Sequence, residues 1–247
     1  MSNGVLLCDN YYLMHIQFEH IFGTSNTSDF HYYVASLADI TPAEYNTALE
    51  QGWLAECKDG EVSWYQTRST RINLAGNNYK KYNDDVINYI IFKPDEIPTS
   101  ELDHIYDSYC YHKKFKKYFE VDQYPAWDTV VGYLDENSNL CAYSKLRRYS
   151  PISIETVMFA WDYKNPSLQL GKQSLYWELE WCQQQGYTHA YTGSGYEKSS
   201  LYKADYPGFE WWDGKEWTTD IDHYKWLLTR DSKITTISDL GGLRITR

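Results

Sequence analysis

Two places in the chain concentrate positive charge among aromatic rings, in a protein whose net charge is −11. The run Tyr111-His112-Lys113-Lys114-Phe115-Lys116-Lys117-Tyr118 carries four lysines and no acid, and the second run is Lys145-Leu146-Arg147-Arg148-Tyr149. Basic residues interleaved with aromatics suit phosphate contact along single-stranded RNA or a tRNA acceptor end. They equally suit a solvated helix face for the first run and a strand edge for the second. A third place is Asn165-Pro166-Ser167-Leu168-Gln169-Leu170-Gly171-Lys172-Gln173-Ser174, a glycine-bearing loop that runs into a helix. Backbone N–H groups and the dipole at such a helix start can face an anion, either a pyrophosphate or a nucleotide 3′ end. An ordinary tight turn has the same pattern. His15, His20 and His31 lie close in sequence at spacings that fit no zinc site, so no metal is expected.

The scaffold for these groups has 247 residues, enough for one large domain or two small ones with a real core. With 10 Trp, 25 Tyr and 8 Phe and only short charge blocks, the composition excludes collagen, coiled coil and disorder. Net acidity argues against a broad nucleic-acid-coating surface but leaves room for a local basic site. Five cysteines are widely spaced with no CxxC pair, so ordinary reduced thiols are expected. No segment approaches the roughly 18 apolar residues of a membrane span, and the N-terminus lacks a signal-peptide pattern. A cytoplasmic location is therefore the expectation, with no membrane and no DNA partner.

Hydrophobic spacing then places the elements. Residues 36–53 read as a helix whose start is marked by Thr41-Pro42-Ala43-Glu44. Residues 61–68 and 71–74 read as strands. Residues 94–99 are the best linker and divide an N-terminal domain, 1–95, from a C-terminal one, 96–247. A helix over 100–119 follows. Next come a strand over 128–134, a turn at 135–139, its return strand over 140–149 and a further strand over 154–162. The loop above leads into a helix over 174–185, and a strand over 188–192 runs into Gly193-Ser194-Gly195. The Trp-rich stretch 209–217 reads as a hairpin about Asp213-Gly214, and 235–247 as a frayed tail or a small strand.

Several of these residues resemble a known family. Trp161-Asp162, Ser167-Leu168-Gln169-Leu170-Gly171, the helix with Trp177, Glu178 and Trp181, the strand end Tyr191-Thr192-Gly193, then Tyr202-Lys203, Tyr206 and Glu210 are similar to the C-terminal half of arginyl- and leucyl-tRNA–protein transferases. More loosely, Ile40 to Tyr45 with Gly52-Trp53, Arg71, and Asn78 to Asn83 resemble the N-terminal half, so the likeness covers roughly residues 35–220. It implies an α/β, GNAT-like acyltransferase fold, a C-terminal GNAT-like domain with a smaller N-terminal part that is either a related or a degenerate GNAT-like unit. Three features depart from the family. Its N-terminal cysteine cluster is missing, with only Cys8 and Cys57 in that half, its basic run is thinned to Lys80 and Lys81, and its Tyr-Leu-Gly-Tyr strand end is here Tyr191-Thr192-Gly193-Ser194.

The implied activity is aminoacyl transfer from an aminoacyl-tRNA to an amine on a protein N-terminus, a peptide or a small molecule, with no cofactor. The ester is already activated, so the enzyme mainly positions the reactants and stabilises the oxyanion. On this resemblance Asp162, Tyr202 and Tyr206 are catalytic candidates. Leu170, Gly171, Lys172, Gln173, Ser174 and Lys203 would hold the donor. Phe159, Trp161, Tyr191, Gly193, Ser194 and Glu210 would line the substrate pocket. Lys113, Lys114, Lys116, Lys117, Arg147 and Arg148 would contact RNA. Each also has a structural reading: Asp162 as a strand-ending turn residue, the tyrosines as packing, Lys203 as solvated, Glu210 as an ion-pair partner. The rival functions are an acyl-CoA-dependent N-acyltransferase, which prefers a second small residue after Gly171, and a non-catalytic binding module on the same scaffold.

Overall fold

The computed structural model describes residues 17–24, 30–38, 40–58, 61–79, 88–114, 128–196 and 198–231. In chain order the elements are β1 (Gln17–Thr24), β2 (Phe30–Ala38), α1 (Tyr45–Glu50), β3 (Trp53–Lys58), β4 (Glu61–Gln66), β5 (Ser69–Asn73), β6 (Asn88–Phe92), α2 (Thr99–Lys113), β7 (Thr129–Leu134), β8 (Leu140–Ser150), β9 (Ser153–Trp161), α3 (Leu170–Gln184), β10 (His189–Ser194), β11 (Phe209–Trp212), β12 (Trp217–Thr218) and α4 (Ile221–Asp231). The chain is mixed α/β and divides into two compact units, each discontinuous in sequence. The first comprises Met1–Ser69, Ser194–Tyr202 and Trp211–Arg247, and the second Thr70–Gly193 and Lys203–Glu210. The break expected at residues 95/96 lies inside the second unit. No helix among the described residues is long and apolar enough to cross a membrane.

In the first unit, four antiparallel strands are ordered β1-β2-β4-β3. The helix expected over 36–53 is shorter, because residues 36–38 continue β2 and its pairing with β1 runs on to Leu37. Its start signal holds: the Thr41 amide and hydroxyl both donate to Glu44 Oε2, at 2.9 and 2.5 Å. A single 3-10 turn, Pro42–Glu44, then leads into α1. The hairpin of β11 and β12 turns where Asp213 Oδ1 accepts the amides of Lys215 and Glu216 (2.8 and 2.9 Å). Helix α4, unforeseen in the sequence, is anchored by buried Tyr224 and Leu228 and by Asp231, which bridges Arg68 (2.7 Å) and Arg230 (2.6 Å). The tail over 235–247 lies outside the described residues.

In the second unit the strand order is β5-β10-β9-β8-β7-β6, with Phe209 and Glu210 at the start of β11 beside β5. Strands β6 to β9 form an antiparallel meander. Its β7–β8 turn is closed by Asp135, whose Oδ1 accepts the amides of Asn137 and Asn139. Helix α2 covers one face through Leu102, Ile105, Tyr106 and Cys110, packed on Val130, Tyr143 and Ala160. It ends at Lys113, capped by Lys114 at a left-handed φ of 57°, and residues 115–119 of the expected helix lie outside the described residues. Helix α3 covers the other face, because Ser144, next to Tyr143 on β8 and so pointing the opposite way, meets Glu178 of α3. Helix α3 is the crossover that the parallel neighbours β9 and β10 require.

Gly208 sits at φ +78°, and a Cβ there would run into the Asn73 backbone carbonyl while Asn73 N–H donates to Gly208 O at 2.8 Å. Gly208→Ala is therefore expected to lower stability by more than about 1 kcal/mol. A reduced urea midpoint at unchanged slope is the readout.

Candidate functional site

Strands β9 and β10 are joined by only three parallel residue pairs, His189↔Ser153, Ala190↔Ile154 and Tyr191↔Glu155. Past them β9 runs on over 156–161 and β10 over 192–194. Both strands are distorted where the pairing stops. Against β8, Lys145 pairs with Met158 but Leu146 pairs with Thr156, so Val157 is a bulge residue outside the register. A bulge bends its strand and frees backbone groups from the ladder. On β10, Gly193 takes a left-handed φ of +77°. Three successive β10 carbonyls accept bonds from side chains: Tyr191 O from Thr156 Oγ1 (3.4 Å), Thr192 O from Lys203 Nζ (2.5 Å) and Gly193 O from Thr70 Oγ1 (2.8 Å). Lys203 is thus a buried cation at this opening.

The carboxyl ends of parallel strands and the start of the following helix form the usual ligand-facing edge of an α/β unit. Here the expected loop Leu170 to Ser174 is the first turn of α3, which begins four residues earlier than its sequence suggests. The carbonyl of Gln169, a residue at φ 45°, accepts the amides of Lys172 (2.9 Å) and Gln173 (3.2 Å). Leu170 and Ser174 are buried, whereas Gly171 and Lys172 face outward. The interior burial of those two residues overrides the weak helix propensity of the segment. Tyr206 is buried against this turn: its hydroxyl donates to Lys172 O at 3.2 Å and its ring lies 4.6 Å from Tyr176.

The pocket residues divide between the faces of the sheet. Phe159 pairs with Ser144 on the α3 face, and a methyl on Gly171 would lie 3.7 Å from it. Tyr191 pairs with Glu155 on the opposite face, where a buried polar network runs. In it Arg147 Nη2 meets Glu155 Oε2 at 2.5 Å and Tyr149 Oη at 3.0 Å, and Tyr149 Oη also donates to Glu155. Arg71 Nε meets Glu210 Oε2 at 2.6 Å, and Arg71 Nη1 approaches Tyr191 Oη at 3.5 Å. Glu210 is therefore an ion-pair partner of Arg71.

No family model matches the sequence, and no curated protein matches it at a significant level. Solved structures give partial likenesses. The chain is similar to L-PGS from Bacillus licheniformis at 12% identity and a TM-score of 0.41, over 60% of this chain and 49% of that one. It is also similar to the C-terminal domain (DUF2156) of a putative lysylphosphatidylglycerol synthetase from Agrobacterium fabrum, at 12% identity and a TM-score of 0.44, over 72% and 70% of the two chains. The chain spans about half the length of the first of these. Likenesses of this extent assign no activity.

The remaining expected site residues are scattered. Asp162 is buried and closes a turn: Oδ1 accepts the Lys164 amide at 3.1 Å, Oδ2 lies 2.9 Å from Lys164 Nζ, and its carbonyl accepts Ser108 Oγ at 2.7 Å. Tyr202 is 40% exposed and, with Ser194, belongs to the first unit. Lys113 and Lys114 are exposed at the end of α2, while Lys116 and Lys117 lie outside the described residues. Arg147 does not face RNA, because β8 is an interior strand and the guanidinium is buried on Glu155. Arg148 alternates to the other face, where it is exposed and its Nε donates to Tyr187 Oη at 2.9 Å.

One buried group had no assigned role from sequence. Glu178 Oε1 accepts Ser144 Oγ (2.5 Å) and Tyr133 Oη (3.0 Å) beneath α3. Its position among Leu175, Leu179 and Cys182, at three- and four-residue spacing, was the available signal that a carboxylate lies on the apolar stripe. Burial pushes its pKa from 4.5 up to about 7, held back by the two hydroxyl bonds. The folded state therefore keeps a proton that the unfolded chain has already lost across that interval. Stability falls as pH rises between those values, by about 3 kcal/mol in all. Glu178→Gln keeps the acceptor oxygen and removes the titration. It is expected to flatten this slope in urea unfolding and to exceed the wild type in stability above about pH 7.

Proposed function

We propose that the protein transfers an aminoacyl group from aminoacyl-tRNA to an amine, on a GNAT-like scaffold. The observation that carries this reading is the opening between β9 and β10, with the Val157 bulge on one side, buried Lys203 on the other and the glycine-bearing start of α3 at its end. The amine nitrogen attacks the ester carbonyl carbon. A C–N bond forms, the C–O bond to the ribose breaks, and the amine's proton ends on the departing ribose oxygen. No protein nucleophile is required, so positioning and charge stabilisation suffice.

In this reading backbone N–H groups near Val157 and Lys203, whose Nζ also donates to Thr192 O, offset negative charge on the carbonyl oxygen or a nearby phosphate. The α3 start, with Gly171 and Lys172 facing outward, suits the 3′-terminal nucleotide. Tyr206 fixes that turn from below. Asp162 acts as a positioning residue for the loop into α3, since its carboxylate is committed to Lys164. The resemblance carried by Trp161-Asp162, the Leu168 to Gly171 loop and Tyr191 to Gly193 points to the same donor class and leaves the acceptor open.

The test is transfer of labelled amino acid from charged tRNA to a lysate or a defined amine, with ribonuclease as control. Ribonuclease-sensitive transfer is expected. Its absence from a folded protein, together with a thermal shift by coenzyme A, would replace this donor with an acyl-CoA. Gly171→Ala probes the site itself. The added methyl has room, so the variant is expected to gain about 0.5–1 kcal/mol of stability as a better helix former. Transfer is expected to fall several-fold as the methyl blocks the donor. Raised stability with unchanged transfer would move the donor elsewhere.

A further inference from the structure

At the end of β9 in the second unit, three rings form a continuous stack. Tyr163 lies 3.9 Å from Trp161 at an interplanar angle of 24°, and 4.6 Å from His112 of α2 at 17°. The middle ring is held there by the backbone. Tyr163 takes φ +60°, a conformation unfavourable for a bulky side chain. The Asp162–Lys164 turn encloses it, and the Ser108 hydroxyl ties α2 to Asp162. Packing gives no reason for the outer end of the stack, where His112 is exposed and Tyr111, edge-on to it at 5.5 Å, is 81% exposed.

Charge surrounds that exposed end. Lys113 and Lys114 follow His112 directly, and the Lys164 side chain is 72% exposed. Three acids are also near, Asp107 one turn back on α2 and Asp162 and Asp135 beside Lys164, so the positive charge left facing the exposed rings is that of Lys113 and Lys114 at the helix end. A flat ring face beside lysines matches an unpaired nucleobase with its phosphate, because every base offers a π-face and stacking tolerates sequence. Lys113 and Lys114 also offset the negative end of the α2 dipole, a role that predicts no dependence on RNA.

We propose that the Trp161–Tyr163–His112 stack is a platform on which an unpaired base near the 3′ end of RNA adds the next ring, over His112 and beside Tyr111. It rests on the tRNA-donor reading above and extends it by naming where the single-stranded end is held. Asp162 then has a second positioning role, since its turn sets the ring of Tyr163.

The test uses the full chain and a 5′-labelled ACCA tetraribonucleotide, followed by fluorescence anisotropy at low salt. His112→Ala removes the outer ring from an exposed position, and Tyr163→Asn removes the middle ring while tolerating the left-handed backbone. Each is expected to weaken binding about tenfold. The thermal midpoint should be unchanged for His112→Ala and unchanged or raised for Tyr163→Asn. Lys113→Ala should flatten the salt dependence. An oligonucleotide with abasic sites throughout should bind the wild type as weakly as ACCA binds the variants. Wild-type affinity in both variants, tight binding of the abasic oligonucleotide, or no binding by the wild type would overturn the platform. Transfer from charged tRNA is measured on the same proteins. Transfer without ring-dependent binding overturns the platform alone, whereas ring-dependent binding without transfer supports the platform and removes the transferase reading.

Discussion

Two parallel strands cannot be joined by a tight turn, so β9 and β10 meet only after the chain has built α3 across one face of the sheet. Their ladder is just three residue pairs long, and everything about the candidate site follows from how it ends. Backbone groups that leave a ladder inside a protein must find other partners. On β10 those partners are side chains: Thr156, Lys203 and Thr70 serve three successive carbonyls. On β9 the Val157 bulge turns the strand away, while β8 keeps hold of Met158 to Trp161. The opening is thus held by polar side chains as much as by the sheet.

The second unit carries an unusual amount of buried charge around this opening. Arg147 with Glu155 and Arg71 with Glu210 form pairs on the α2 face, while Glu178 sits with two hydroxyls on the α3 face. Buried pairs of this kind gain little net stability, because desolvation offsets most of their attraction, but breaking one leaves an uncompensated charge. Their consequence is geometric. Through Tyr149 and Tyr191 the first two pairs link β8, β9, β10, β5 and β11, fixing the strands that carry the opening. Glu178 ties α3 to β7 and β8 and so sets where the helix begins over the strand ends.

Asp162 shows how one side chain can shape two neighbouring features. By accepting the Lys164 amide it ends β9 and holds Tyr163 in a strained conformation between Trp161 and His112. The same turn directs the chain into Asn165–Gln169 and on to the exposed start of α3. A short polar residue at a strand end is often only a turn former. Here the turn positions both an aromatic stack and a helix terminus.

Features decided by bonds within four residues were legible in the sequence. The Thr41–Glu44 start, the Asp135 turn and the Asp213 hairpin belong to this class, because both partners sit in one short segment; most strands of the second unit were legible instead from their apolar runs between turn residues. The order of elements from β7 to β10 was also legible, and Asp162, Gly171, Lys203 and Tyr206 stood out as candidates. What each of those side chains touches was not. Arg147 reads as a surface cation until β8 acquires a neighbour on each side and Glu155 arrives opposite it. Residues 36–38 read as helix until the sheet claims them as the end of β2, and Leu170 to Ser174 read as loop until the core claims two of the five. The bulge at Val157, the raised proton affinity of Glu178 and the ring stack at Tyr163 depend on partners far away in the chain. Local sequence sets which conformations are cheap, and only tertiary burial decides which polar groups must be paired and which remain open to a ligand.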